Sequence, residues 1–390
     1  METELIADSI FLIYVGAAVL GTIALYTKQV LPVVYIILGA IIGPGGLALI
    51  PEITQVENLA SIGIIFLLFL LGIDLYPQKL LNIFQSVSTV TLISSVVFFC
   101  IGFAVASLFG FSVIEAVITG IATGFSSTIM GIKLLPTTAL HHRHIGELVI
   151  GILLLQDLLA IFALVVIQGL GVTGEVSVRN FLPVITLPVF VAIAFVLEYF
   201  VIRKLLTKFE QIREYLFLVI VGWCLGLGEL AHSVFGLSHE IGAFVAGVTV
   251  AASPIARYIA ERLQALRDFF MVLFFVAMGA HFNGAAFVEV FVPSLVLTVL
   301  VLAIKPTVYR FLLGLFKEER ETGWETGFRL GQLSEFSILI VFMAITSGII
   351  GENTANFLIV ATVLTFIGSS YLIVFRYPSP VAPSDRLRRD

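Results

Sequence analysis

The sequence predicts an all-α, polytopic membrane protein of about 13 transmembrane helices arranged as two inverted six-helix repeats. Three observations carry that prediction. The 390 residues are 59% hydrophobic and only 12% charged, whereas a soluble protein carries about 25% Asp, Glu, Lys and Arg. Uncharged apolar runs extend as far as Leu80 to Ile114, beyond the roughly 20 residues needed to cross a bilayer. The basic residues also fall almost entirely in alternate loops, as they do when loops alternate between two sides of a membrane.

A window of about 20 residues places helices over 9–25, 30–49, 58–74, 86–109, 112–135, 147–171, 181–203, 214–235, 239–256, 264–282, 286–315, 323–348 and 353–376. The first follows an acidic start with Glu2, Glu4 and Asp8. It therefore lacks the positive region and cleavage site of a signal peptide and is read as a retained helix. The eleventh is long enough to tilt or to continue into an interfacial piece. Of the 21 Lys and Arg, Arg179 falls in an outer loop and Lys305 within a span. The other nineteen, including Lys28, Arg143, Arg213, Arg262 and Arg329, fall on one side if the N-terminus is outside and the C-terminus cytoplasmic. Six helices, a linking seventh and six more invert the second set. Residues 1–376 then form one transmembrane domain, with repeat one at about 9–171, the linker helix at about 181–203 and repeat two at about 214–376. Residues 377–390 read as a short cytoplasmic tail.

The net charge of −5 excludes a basic nucleic-acid surface, and nucleic acid is not an expected partner. Cys100 and Cys224 lie in apolar stretches and read as buried thiols, too few for a disulfide scaffold or a CxxC metal site.

Within each repeat the fifth helix is irregular. Gly120 to Thr128 is a run of small and hydroxyl residues, and Gly331-Gln332-Leu333-Ser334-Glu335-Phe336 interrupts the twelfth helix. Such runs make poor continuous helix. They are tolerated in a membrane where the freed backbone faces a cavity or other protein, although small residues also serve simply to pack helices closely. Two breaks in matching positions would cross and offer carbonyls to a cation.

Ionisable residues inside spans each cost roughly 2.5–3.5 kcal/mol and point to function. Asp157 lies in the middle of the sixth helix, where a carboxylate can exchange a proton for a cation. Lys305 lies deep in the eleventh and needs a partner, for which Asp157 and Glu335 are the candidates, with snorkelling to the helix end as the alternative. Glu335 either neutralises half-helix N-termini or binds substrate. Glu240 reads as interfacial, and Glu198, Glu229 and Asp74 fall near span ends. His141, His142 and His144 form a loop cluster able to bind metal or sense pH, with a solvated loop as the simpler reading.

These residues also resemble a known family. Gly39 to Pro44, Phe69 to Leu75, Ser126-Ser127-Thr128, Leu155-Gln156-Asp157, Ile241 to Gly247 and Gly331 to Phe336, with Lys305, occur in the order and spacing of Kef-type monovalent cation:proton antiporters. The resemblance implies a sodium/proton antiporter-like fold in the cell (inner) membrane, a homodimer, and an elevator-like core in which Asp157 binds a cation or a proton. Sodium-selective relatives carry two adjacent aspartates where this chain has Gln156-Asp157. The single carboxylate implies electroneutral, one-for-one exchange favouring potassium over sodium. Gln156, Ser126, Ser127 and Thr128 would complete an oxygen cage around potassium or sodium at Asp157, supported by Lys305, Glu335, Ser334 and Gln332. No cofactor is expected in the chain. Kef-type proteins usually continue into a cytoplasmic nucleotide-binding domain; no G-x-G-x-x-G occurs here, so such a domain is either separate, removed or never present. Two rival classes are a passive cation channel built on the same breaks and an intramembrane serine hydrolase with Ser126 as nucleophile. The hydrolase needs a histidine within reach, and His232, His239 and His281 all lie near span ends.

Overall fold

The structure, a computed structural model, describes residues 2–50, 54–74, 77–136, 144–171, 182–251, 253, 256–282 and 287–380. These residues form helices joined by turns, with no strand among them. In order they are α1 (Glu2–Tyr26), α2 (Leu31–Ile42), α3 (Thr54–Asp74), α4 (Pro77–Leu108), α5 (Val113–Thr123), α6 (Thr128–Lys133) and α7 (His144–Gly171). Then come α8 (Leu182–Leu197), a π-helical turn (Glu198–Ile202), α9 (Arg203–Lys208), α10 (Arg213–Phe235), α11 (His239–Ala251) and α12 (Ala256–Ala280). The last four are α13 (Phe287–Leu315), α14 (Arg320–Arg329), α15 (Glu335–Thr346) and α16 (Glu352–Arg376). Eight of these helices are long and apolar enough to cross a membrane, and α2, α5, α11 and α15 are shorter apolar helices.

Each predicted span corresponds to observed helix, and the departures have local causes. The fifth and twelfth spans are interrupted, as their small and polar residues predicted: α5 and α6 flank residues 124–127, and α14 and α15 flank residues 330–334. The second span ends at Ile42 instead of 49, because Gly43-Pro44-Gly45-Gly46 turns the chain, with Gly46 N donating to Gly43 O (3.1 Å) and Leu47 N to Ile41 O (2.7 Å). Proline and glycine both disfavour helix there. The seventh span passes through a π turn and continues to Lys208; the first residue of that turn, Glu198, is buried and accepts from Arg203 Nε at 3.4 Å. Cys100 corrects its sequence reading: it is exposed on α4, while Cys224 is buried. The segment carrying His141 and His142 and the tail from 381 lie outside the described residues.

Two compact units are present. The first draws on Met1–Ile53, Asn82–Ala163 and Phe275–Asp390, and the second on Thr54–Leu81 and Leu164–Phe274. In the second unit α3 and α11 touch backbone to backbone: a Cβ on Gly72 or Gly247 would overlap the main chain of the other helix at Phe244 or Phe69. Trp223 Nε1 of α10 donates to Ala246 O and Thr249 Oγ1 of α11, both at 3.2 Å. In the first unit, Gly39 and Gly43 of α2 make the same kind of close approach to Val276 and Ala280. The glycines of three motifs in the sequence resemblance are therefore packing seams. α13 passes through the first unit with Lys305, Pro306 and Tyr309 all buried, beside the interruptions in α5–α6 and α14–α15.

Candidate functional site

The first interruption leaves α5 at Thr123 and re-enters helix at Thr128, where Ser127 caps α6 by accepting from Met130 N at 3.1 Å. Free backbone groups in this interval need partners, and α7 supplies them. Gln156, fully buried, accepts from Ser126 N (3.1 Å) and donates through Nε2 to Gly124 O (3.3 Å) and to Tyr309 Oη (2.9 Å). One residue further along α7, Asp157 is 1% exposed, and both its carboxylate oxygens lie within reach of Thr128 Oγ1, at 3.2 and 3.1 Å. A helix periodicity of 3.6 residues thus aims Gln156 at the interrupted backbone and Asp157 at the first residue of α6.

The second interruption leaves α14 at Arg329 and re-enters helix at Glu335. Ser334 accepts from Phe336 N (3.1 Å), Ser334 N donates to Ser337 Oγ (3.2 Å), and Leu333 N donates to Thr365 Oγ1 of α16 (3.2 Å). Gln332, fully buried, donates to Arg329 O (3.0 Å) and Ser127 O (3.4 Å) and accepts from Ser369 Oγ (2.9 Å). The two interruptions meet. Ser126 Oγ donates to Leu330 O at 2.8 Å, and Ser337 Oγ donates to Ala122 O at 2.5 Å.

Lys305 joins them. Its ammonium, with the side chain fully buried, donates to Phe125 O (2.6 Å) and Gln332 O (3.0 Å), approaches Ser126 Oγ (3.4 Å) and lies 5.0 Å from the centroid of the Phe98 ring. Sequence reasoning had sought a carboxylate for this charge, or an escape to the helix end. Its hydrogen-bond acceptors include one carbonyl from each interruption, where the negative ends of the α5 and α14 dipoles converge. The carboxylates take the opposite pole: Glu335 is buried in the first turn of α15, and Asp157 meets the first turn of α6.

Two residues escaped the sequence reading. Tyr309, one turn along α13 from Lys305, is fully buried and holds Gln156; the i, i+4 spacing was the available signal. Arg329 had been placed among cytoplasmic charges, yet it is fully buried. It pairs with Glu325 at 2.6 Å and donates to Leu134 O at the end of α6 and to Pro378 O, each at 2.8 Å. Its position six residues inside the predicted span 323–348 was the overlooked cue. Of the remaining candidates, Glu240 lies in the first turn of α11, and His144 starts α7 with its ring nitrogen 2.9 Å from Glu318.

Residues 12–376 match the family described as sodium/hydrogen exchanger, transmembrane. The chain belongs to that family. It is a multi-pass membrane protein, and its fold is similar to that of the sodium proton antiporter MjNhaP1 from Methanocaldococcus jannaschii, with a TM-score of 0.77, 17% identity, and 95% of this chain and 96% of that one covered. Curated relatives are transporters by name. The chain is 29% identical to K(+) efflux antiporter 4 of Arabidopsis thaliana, with 95% of this chain and 64% of the relative covered. It is also 29% identical to the glutathione-regulated potassium-efflux system protein KefC of Cronobacter sakazakii, with 93% and 59% covered. The chain thus spans less than two thirds of the length of these relatives.

Proposed function

We propose that the chain is the transport domain of a monovalent cation:proton antiporter, with potassium as the favoured cation and Asp157 as the shared carrier. The observation that carries this reading is a buried carboxylate placed against the first residue of an interrupted helix, Thr128, in a chain of the exchanger family. A carboxylate buried in a span is by default a functional group, able to take up a proton or to ligate a cation. A proton and a cation would occupy the same oxygens, so they compete. Among the described residues no cluster of three or more His, Cys, Asp or Glu is placed to hold a metal ion. A cation at Asp157 then draws its other ligands from neutral oxygens, Thr128 Oγ1 first. Such ligands suit a weakly hydrated ion.

Lys305 ties the two interruptions together through Phe125 O and Gln332 O, and Asp157 is the group that takes up and releases charge during a cycle. Loaded with a proton or a potassium ion, the site is neutral and moves; bare, it stays. One carboxylate gives one-for-one, electroneutral exchange. The basic-residue count supports an N-terminus outside and a C-terminus in the cytoplasm, with repeats at about 9–171 and 214–376 around a linking helix; the family resemblance supports a homodimer in the cell membrane. The potassium-efflux names of the relatives support potassium over sodium.

Competition has a kinetic signature. Initial rates of exchange measured across potassium concentrations at several pH values should show the apparent KM for potassium rising about tenfold per pH unit on the acid side, the slope of one competing proton, with an unchanged maximal rate. A constant KM with a falling maximal rate would contradict a shared site, and uncoupled flux far above roughly 10³ per second would favour a channel.

A further inference from the structure

The second unit holds a groove that the exchange chemistry does not use. It occupies about 590 Å³ between the start of α10 and the first turns of α12, within the roughly 300–1,000 Å³ typical of ligand pockets. Its floor is apolar and buried: Ile220, Ile259 and Leu263. At its mouth stand two exposed arginines, Arg213 and Arg262, the latter with its guanidinium 5.4 Å from the centroid of the Tyr258 ring. Glu214 lines the groove as well, which leaves the mouth with one net positive charge. The wall continues into Phe217 and Leu218, which are 45% and 66% exposed on a helix apolar enough to span a membrane.

We propose that this groove binds an anionic glycerophospholipid, its phosphate held by Arg213 and Arg262 and an acyl chain laid over Ile220, Ile259 and Leu263. Charge complementarity selects the headgroup, since guanidinium groups offer paired donors that match phosphate oxygens. The apolar floor selects a lipid over a free anion, because a soluble phosphate would leave that floor wet. Basic pockets between membrane helices are suited to such headgroups.

Native mass spectrometry of the full chain, with phosphatidylglycerol or phosphatidylcholine of equal chain length added to the detergent, tests this. Phosphatidylglycerol should be retained roughly ten- to thirty-fold more strongly than phosphatidylcholine, as expected for two basic residues at a headgroup. The preference should vanish in the Arg213→Gln/Arg262→Gln double variant and persist in Arg320→Gln, which lies in the other unit. Arg213→Lys, which keeps the charge and loses the paired donors, should retain an intermediate preference and covers the case of a misfolded double variant. Equal retention of the two lipids, an undiminished preference in a folded double variant, or equally tight binding of glycerol phosphate without acyl chains would each overturn the proposal.

Discussion

The two helix interruptions of the first unit solve one problem in different ways. Residues 330–334 combine caps from their own sequence, by Ser334 and Ser337 and by Gln332 reaching back to Arg329 O, with ties to Thr365 and Ser369 of α16 and to Lys305. The backbone of residues 124–127 depends chiefly on distant segments: Gln156, itself steadied by Tyr309, takes Ser126 N and Gly124 O, and Lys305 takes Phe125 O. An interruption with several caps of its own is the more self-contained part, whereas one whose backbone is held from α7 and α13 can respond when a neighbour changes charge. Asp157 sits beside the second kind.

Substitutions can break that contrast, in decreasing order of expected effect. Asp157→Asn should reduce cation-driven proton movement to background while leaving the thermal unfolding midpoint near that of the parent, because Asn still reaches Thr128. Lys305→Met strands Phe125 O and Gln332 O, each worth about 1–3 kcal/mol when buried without a donor. It should lower the unfolding midpoint and the exchange rate together, measurable on detergent-purified and reconstituted protein. Gln156→Leu frees Ser126 N and Gly124 O and should cost about 1–3 kcal/mol for each. Gln156→Asp instead adds a second titrating group, and exchange should become electrogenic, read as a rate that responds to an imposed membrane potential. Ser334→Ala removes one of several caps from the second interruption, for about 0.5–2 kcal/mol, and exchange at room temperature should be nearly unchanged. A Ser334→Ala variant as impaired in exchange as Gln156→Leu would erase the distinction between the two interruptions.

Much of this architecture is legible in the sequence because lipid enforces simple rules. Length and hydropathy locate the spans, and runs such as Gly124-Phe125-Ser126-Ser127 announce their own interruptions. Asp157 and Lys305 stand out since an ionisable group in an apolar helix is rare. What stayed hidden is who meets whom. The sequence offers Lys305 a carboxylate or the helix end, whereas backbone carbonyls freed by two interruptions far apart in sequence leave no trace in residue types. Arg329 looked like a cytoplasmic charge because it stands near a span end; only the approach of Leu134 O and Pro378 O makes it a buried tie. Glycines 72 and 247 carried family likeness in their motifs, and their reason is contact between α3 and α11, a relation across more than 170 residues that spacing does not encode.

The central claim is that Asp157 carries either a proton or a cation. Proteoliposomes loaded with a pH-sensitive dye, given potassium, sodium or lithium in turn, test it most directly with the parent and Asp157→Asn side by side. Proton movement driven most strongly by potassium in the parent and absent in the variant is the predicted result. Cation-driven proton movement that survives in Asp157→Asn would contradict the account.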